Sequence, residues 1–241
     1  MSNRILALDT ATEACSAAVV IDGVVVAQRF ELAPRRHAEL ILPQLDAVLT
    51  EAGISLQQLD ALAYGCGPGS FTGVRLAASV VQGVAFAADL PVIPVSDLAT
   101  LAYAVHLEFG ADHLACAIDA RMGEVYWACY SADAVSGVHL LGTEVVVKPE
   151  AVPIPQRQRD ELPERTIWHG VGSGWARYAP VLQTNLAVQQ IWPDRFPAAA
   201  TVALLGALYW RNGMAVSAQQ ALPVYLRDQV AQRPAAVAGP T

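Results

Sequence analysis

Charge is scarce in this sequence, and positive charge is scarcest. Only 15% of the 241 residues are charged, with 15 basic against 22 acidic side chains and a formal net charge of −7. Without clustered Lys and Arg to neutralise phosphates, the chain is not expected to hold nucleic acid by itself. Cysteine is rare. Cys15, Cys66, Cys116 and Cys129 stand in no CxxC or zinc-like spacing, so buried, reduced thiols in the cytoplasm are expected. None of the five histidines (His37, His106, His113, His139, His169) pairs with another at i, i+4, the spacing by which one helix face grips a metal. Long apolar runs are missing too. The longest uncharged stretches, residues 178–193 and 196–210, fall short of the ~20 residues of a membrane span. Asp9 interrupts the N-terminus too early for a signal-peptide core.

What is present is apolar: 54% of the chain is hydrophobic, which excludes wholesale disorder. A chain of this length buries roughly 70–75% of its unfolded surface and has room for two small domains. With so little charge left for the outside, some apolar surface is expected to be covered by a partner.

Three strands are predicted first, over residues 4–9, 16–21 and 24–30, the last two joined by the hairpin signal Asp22-Gly23. A helix over 36–52 ends at Gly53. A strand at 61–65, a helix at 72–88, a strand at 90–95 and a helix from Ser96 to about 108 follow, with Ser96 as N-cap. The pattern then restarts with strands at 114–120, 125–131 and 144–148. Residues 150–165 are proline-rich and irregular. A short strand at 166–170, a helix at 197–212 and an extended segment at 223–227 complete it. This is an α/β pattern with mixed sheets flanked by helices. Its duplication is similar to the paired ribonuclease-H-like units of the actin, sugar kinase and chaperone ATPase superfamily. The expected division is an N-terminal unit, 1–106, a degenerate second unit, 107–231, whose last segment is a candidate to pack back on the first, and a frayed tail, 232–241.

Two constellations could carry chemistry. Asp9-Thr10-Ala11-Thr12 ends the first strand, and Asp119 stands at the equivalent place in the second half. A carboxylate with small hydroxyls suits magnesium and phosphate oxygens, but it equally makes a self-satisfied turn. Gly65-Cys-Gly67-Pro-Gly69-Ser70-Phe-Thr-Gly73 joins a strand to a helix, where free N–H groups hold anions. It is neither a Walker loop nor GxGxxG, and Ser70 is not in a GxSxG elbow. Glycines that merely permit a sharp turn and close approach are the other reading.

The two early helices differ. In the first, Ile41, Leu42, Leu45, Val48 and Leu49 form an ordinary core arc. In the second, only Arg75, Ser79 and Gln82 cluster on a polar side, and more than half the circumference is apolar or small. Such a helix buries more than one face, against another chain or between the protein's own domains.

Asp9-Thr-Ala-Thr-Glu-Ala-Cys-Ser, Ala63-Tyr-Gly-Cys-Gly-Pro-Gly-Ser-Phe-Thr-Gly-Val-Arg75, Ile118-Asp-Ala-Arg-Met-Gly-Glu-Val-Tyr-Trp127 and Pro223-Val-Tyr-Leu-Arg227 resemble the TsaB (YeaZ) family. The resemblance spans nearly the whole chain and is weakest over 137–195. It implies an accessory, non-catalytic subunit in tRNA threonylcarbamoyladenosine synthesis. The partners it implies are TsaD, which transfers the threonylcarbamoyl group to adenosine 37, and the ATPase TsaE. It further implies a homodimer when alone, tRNA reached indirectly through the complex, and no membrane. No cofactor is implied on this chain, with ATP and magnesium at the level of the complex. TsaD-like chains hold a metal with two histidines whose places fall here on Asp97 and Leu101, so no metal is expected. His37 resembles a histidine of those chains without a visible metal partner. By the same resemblance the two early helices pack on the partner through His37, Leu40, Ile41, Leu45, Val74, Ala77, Ala78, Val81, Val84, Ala85 and Ala88. The rival is a small-molecule kinase or ATPase of the same fold, using Asp9, Thr10, Thr12, Asp119 and the loop of Gly67, Gly69 and Ser70.

Overall fold

Asp22 and Gly23 carry positive φ, 53° and 79°, the backbone that lets a two-residue turn follow strand twist. They join β2 (Ala14–Ile21) to β3 (Val24–Leu32), and β1 (Arg4–Asp9) pairs antiparallel with β2. This is seen in a computed structural model that describes residues 3–156, 162 and 165–227. α1 (His37–Ala52) stops at Gly53, left-handed at φ 65°. β4 (Ala61–Gly67), α2 (Phe71–Ala88), β5 (Val92–Ser96) and α3 (Asp97–Phe109) complete the first half. Ser96 caps α3 as predicted, its hydroxyl accepting from the Ala99 N–H at 3.3 Å. β4 pairs parallel with β1 and β5 with β4, so the sheet order is β3-β2-β1-β4-β5.

The second half repeats this connectivity. β6 (His113–Arg121), β7 (Glu124–Asp133) and β8 (Gly137–Val147) form an antiparallel meander, and β9 (His169–Val171) and β10 (Gln190–Trp192) add in parallel. The order β8-β7-β6-β9-β10 matches the first sheet strand for strand. The chain is therefore two ribonuclease-H-like units. Between β8 and β9 the described residues contain no counterpart of α1. Part of the predicted irregular stretch (157–161, 163–164) and the predicted tail (232–241) lie outside the described residues.

Two elements escaped the sequence: α4 (Ser173–Asn185) and β10. α4 contains Gly174 and Pro180, ordinary helix breakers, and is held by buried Trp175 and Leu182. β8 also begins at Gly137, well before the predicted strand, and residues 223–227 form no strand.

The helices after each sheet cross over. α3 packs on β6 and β7, while α5 (Ala199–Arg211) packs on β1, β2 and β4. One core runs between the sheets through Ile5, Ile93, Leu98, Leu101, Leu114, Val171, Val202 and Leu205. α1 and α2 cover the outer face of the first sheet, and α4 that of the second. At 18 residues α2 is long and apolar enough, by length and composition, to cross a membrane. Counting unbroken uncharged stretches had missed it, because Arg75 interrupts the run. One of its faces is already committed to the first sheet.

Candidate functional site

The ends of β1 and β6 face each other across a cleft of about 1040 Å³. Its walls are the turn after β1 (Ala11, Thr12, Glu13), the start of α2 and the β6–β7 turn, with residues 224–227 completing the lining. Most residues of the predicted phosphate site lie here or behind it, and the structure shows how each is used.

The glycine-rich loop lies against the turn after β1. The Ser70 N–H donates to Ala11 O at 2.7 Å, and Thr10 Oγ1 donates to Gly73 O at 2.7 Å. A Cβ at Gly73 would sit 2.0 Å from Thr10 O, and one at Gly69 2.5 Å from Ala11 O. These glycines let two backbones meet. Carbonyl oxygens of the chain itself stand where a phosphate would need donors. Thr12 Oγ1 accepts from the Ala14 N–H at 3.4 Å. Ser70 is the N-cap of α2, its Oγ accepting from the Gly73 N–H at 3.1 Å. Ser70→Ala is expected to cost about 1 kcal/mol of stability in urea denaturation. A deeper loss of function at full folding would point to chemistry at the hydroxyl.

Asp9 and Asp97 are fully buried. Asp9 Oδ1 accepts from the Ala11 N–H at 2.9 Å, and Asp97 Oδ2 from the Gly67 N–H at 2.6 Å. Their other oxygens converge over Gly65, where a Cβ would lie 2.3 Å from Asp9 Oδ2 and 2.7 Å from Asp97 Oδ1. Two carboxylates this close and this dry cannot both ionise. Burial, then the Asp9 charge, holds Asp97 well above the usual carboxylate range; burial also raises Asp9, and the hydrogen bond from Asp97 offsets part of that. The two facing oxygens have no other partner among the described residues, and one proton between them would satisfy both. Asp9 is thus turned inward, away from any ion in the cleft.

Asp119, the equivalent of Asp9, is occupied differently. Arg177 donates to it at 3.0 Å, the Arg121 guanidinium stands at 3.6 Å, and the Arg121 N–H donates to Oδ1 at 3.0 Å. The places that would hold a metal in TsaD-like chains are spent as well: Asp97 in the carboxyl pair, and Leu101 in the central core. Among the described residues no three His, Cys, Asp or Glu side chains converge as a metal would require. His37 lines the cleft, its Nε2 buried without a hydrogen-bond partner among the described residues. The partnership of Asp9 with Asp97 had no signal in the sequence, since 88 residues separate the two.

The residues expected to meet a partner divide into two groups. Ile41, Leu45, Ala77, Ala78, Val81 and Ala85 are buried in the chain's own core with Leu6, Leu8, Leu62 and Tyr64, and Val74 is buried as well. Those seven are corrected from interface to core: a helix on an open sheet spends its most apolar stripe on that sheet, and the small residues bring α2 close to β4. His37, Leu40, Val84 and Ala88 remain half-buried. The free apolar side of the two helices is carried instead by Phe86, 76% exposed, and Leu42, 56% exposed, with Leu76, Val80 and Gly83 alongside. Leu42 had been placed in the core arc of α1, but that arc extends past the edge of the sheet.

Three comparisons bear on this geometry. The family described as "TsaD: tRNA N6-adenosine threonylcarbamoyltransferase" matches residues 23–235. The "tRNA threonylcarbamoyladenosine biosynthesis protein TsaB" of Escherichia coli (strain K12) is 45% identical over 228 residues, 95% of this chain and 96% of its own. Its namesake from Haemophilus influenzae is 40% identical over 229 residues, 94% of each chain. A solved structure described as "YeaZ from Pseudomonas aeruginosa" superposes with a TM-score of 0.84 at 43% identity, over 93% of this chain and all of that one.

Proposed function

This chain belongs to the TsaB family of tRNA threonylcarbamoyladenosine biosynthesis proteins, and from that premise we propose that it is a non-catalytic subunit of the threonylcarbamoyl-transfer complex. In this reading it works in the cytoplasm, binds a TsaD homologue through the outer face of α1 and α2, and gives a TsaE homologue a docking surface. Without them, a second copy of the chain covers the same face. With a net charge of −7 it meets tRNA through the complex. ATP and magnesium act at the level of the complex.

One observation carries the proposal. Most groups that could have served a nucleotide at the end of β1 are turned to structural use: Asp9 faces Asp97, Thr10 and Ser70 bond to the α2 N-terminus, and the loop glycines pack on the turn backbone. The outer side of α1 and α2 meanwhile exposes apolar surface, around Leu42 and Phe86. Such surface marks association.

The test is threonylcarbamoyl transfer to tRNA by the reconstituted set, with light scattering of the chain with and without its TsaD partner. The expected result is a complex that is active only when all subunits are present, and a chain inert alone. The kinase or ATPase reading predicts something else. Mg-ATP at 100 times its dissociation constant would then stabilise the isolated chain by about 2.7 kcal/mol in a thermal melt. That shift, with turnover by the chain alone, would replace the subunit reading.

A further inference from the structure

The motif Pro223-Val-Tyr-Leu-Arg227 has no part in the proposal above, yet residues 221–227 bridge both halves of the molecule. On the first half the segment is held by α2 and β4. Gln82 Nε2 donates to Ala221 O at 2.9 Å, Tyr64 Oη donates to Leu222 O at 3.0 Å, and the Val224 N–H donates to Cys66 O at 2.7 Å. Arg75 Nε donates to Tyr225 Oη at 2.7 Å, with its guanidinium 3.5 Å above the Phe71 ring. On the second half Arg227 donates to Ala120 O at 3.1 Å and pairs with the Glu124 carboxylate. These anchors lie on opposite walls of the cleft, and the segment between them lines it from one wall to the other.

We propose that residues 221–227 are a latch that sets the separation of the cleft walls, hooked to α2 by Arg75 and Gln82 and to the β6–β7 turn by Arg227. The two ends differ in kind. The α2 end combines backbone bonds, a cation over an aromatic face and buried Ala221, so it stays seated. The Arg227 end rests on one side chain at the margin of the cleft, so it is the end that lets go. Among the described residues, other contacts span the cleft without the latch. Tyr126 Oη donates to Gly69 O at 3.2 Å, and Arg121 pairs with Glu13 at 2.8 Å. The central core also joins the halves. Release therefore loosens the cleft while the halves stay together. Because Arg75 and Gln82 belong to α2, the latch ties that helix to the second half, and it does so in the isolated chain, independently of the subunit reading.

Amide hydrogen exchange on the full chain tests this. Arg227→Ala is expected to speed exchange roughly tenfold or more, as the loss of a charge-assisted hydrogen bond implies. The gain should appear at Val224 and on both cleft walls, over residues 69–73 and 118–124, with the thermal midpoint little changed. Arg227→Lys keeps the charge on Glu124 but loses the planar fork that reaches both acceptors, and should fall between. Arg195→Ala, which removes an exposed pair with Glu108 far from the cleft, should leave those amides alone. Should Arg227→Ala prove poorly folded, Glu124→Gln weakens the same hook from the other side and should loosen the same two walls. Faster exchange confined to residues 225–227, or spread evenly over the chain as global unfolding would spread it, would overturn the latch.

Discussion

Val81→Glu should sharply destabilise the chain, and Gly83→Glu should leave a stable chain that no longer finds its partner. The two positions are two residues apart on α2 and face opposite ways. Val81 is fully buried among Leu62, Tyr64 and Ala77. A carboxylate there has no cation to meet, and an uncompensated buried charge costs about 3–5 kcal/mol. Total stabilities are about 5–15 kcal/mol, so the change removes a large share of the fold's margin. A Cβ at Gly83 meets nothing within 4 Å. Replacing a mid-helix glycine also removes a backbone penalty of up to about 1 kcal/mol, so the variant should melt no lower than the parent. Its charge stands beside Val80, Val84 and Phe86, in the middle of the proposed interface. Desolvating it would weaken association by about 4 kcal/mol, or a thousandfold. Thermal melts and titration with the TsaD partner read the two effects separately. A Gly83→Glu chain that binds its partner at full strength would move the interface off this face.

Asp97→Asn should flatten the dependence of stability on pH and leave the variant the more stable protein in alkali. Asp97 holds its proton more tightly folded than unfolded, because burial and the Asp9 charge both oppose ionisation. The stability this contributes is complete below the unfolded value of about 3.9 and is lost as pH rises through the raised folded value. The loss runs at up to about 1.4 kcal/mol per pH unit for one proton. Asparagine has no such proton to lose. Its amide can donate to Asp9 Oδ2 while its carbonyl accepts from the Gly67 N–H. Glu144, itself raised by burial and held by Ser96 and Tyr130, also opposes the Asp97 charge. The difference between the curves therefore reports Asp97 together with the Asp9 and Glu144 carboxyls coupled to it. Urea denaturation across a series of pH values measures it. Parallel curves would mean that both carboxyls ionise together and that the pair shares no proton. The same pairing makes Asp9→Ala a core mutation. It would leave the Asp97 proton unanswered, where a simple turn would have tolerated the change.

The strand and helix order of the first half could be read from the sequence because its punctuation is local. Asp22-Gly23, Gly53 and Ser96 each mark a boundary by their own backbone or hydroxyl chemistry, and each boundary lies where that chemistry puts it. α4 could not be read, since Gly174 and Pro180 argue against a helix that Trp175 nevertheless holds in place. The site was legible in its residues and not in their roles. Periodicity shows that α2 has more apolar circumference than one contact needs, but not which stripe the sheet takes first, and Phe86 went unnoticed for that reason. The loop glycines could have meant phosphate or close packing. Only the position of Thr10 O and Ala11 O against them, a relation between residues some 60 apart, separates the two.

The exchange of α3 and α5 between the two sheets bears on how the molecule is made and lost. A fragment ending near residue 106 would keep its strands but leave the inner face of the first sheet bare, because the helix that covers it arrives nearly a hundred residues later. The remainder would lack α3 in the same way. Neither repeat can reach a native state ahead of the other, so the nascent chain stays incomplete until α5 has emerged. Heating should then show one cooperative transition, with two halves that look like domains melting as a single unit.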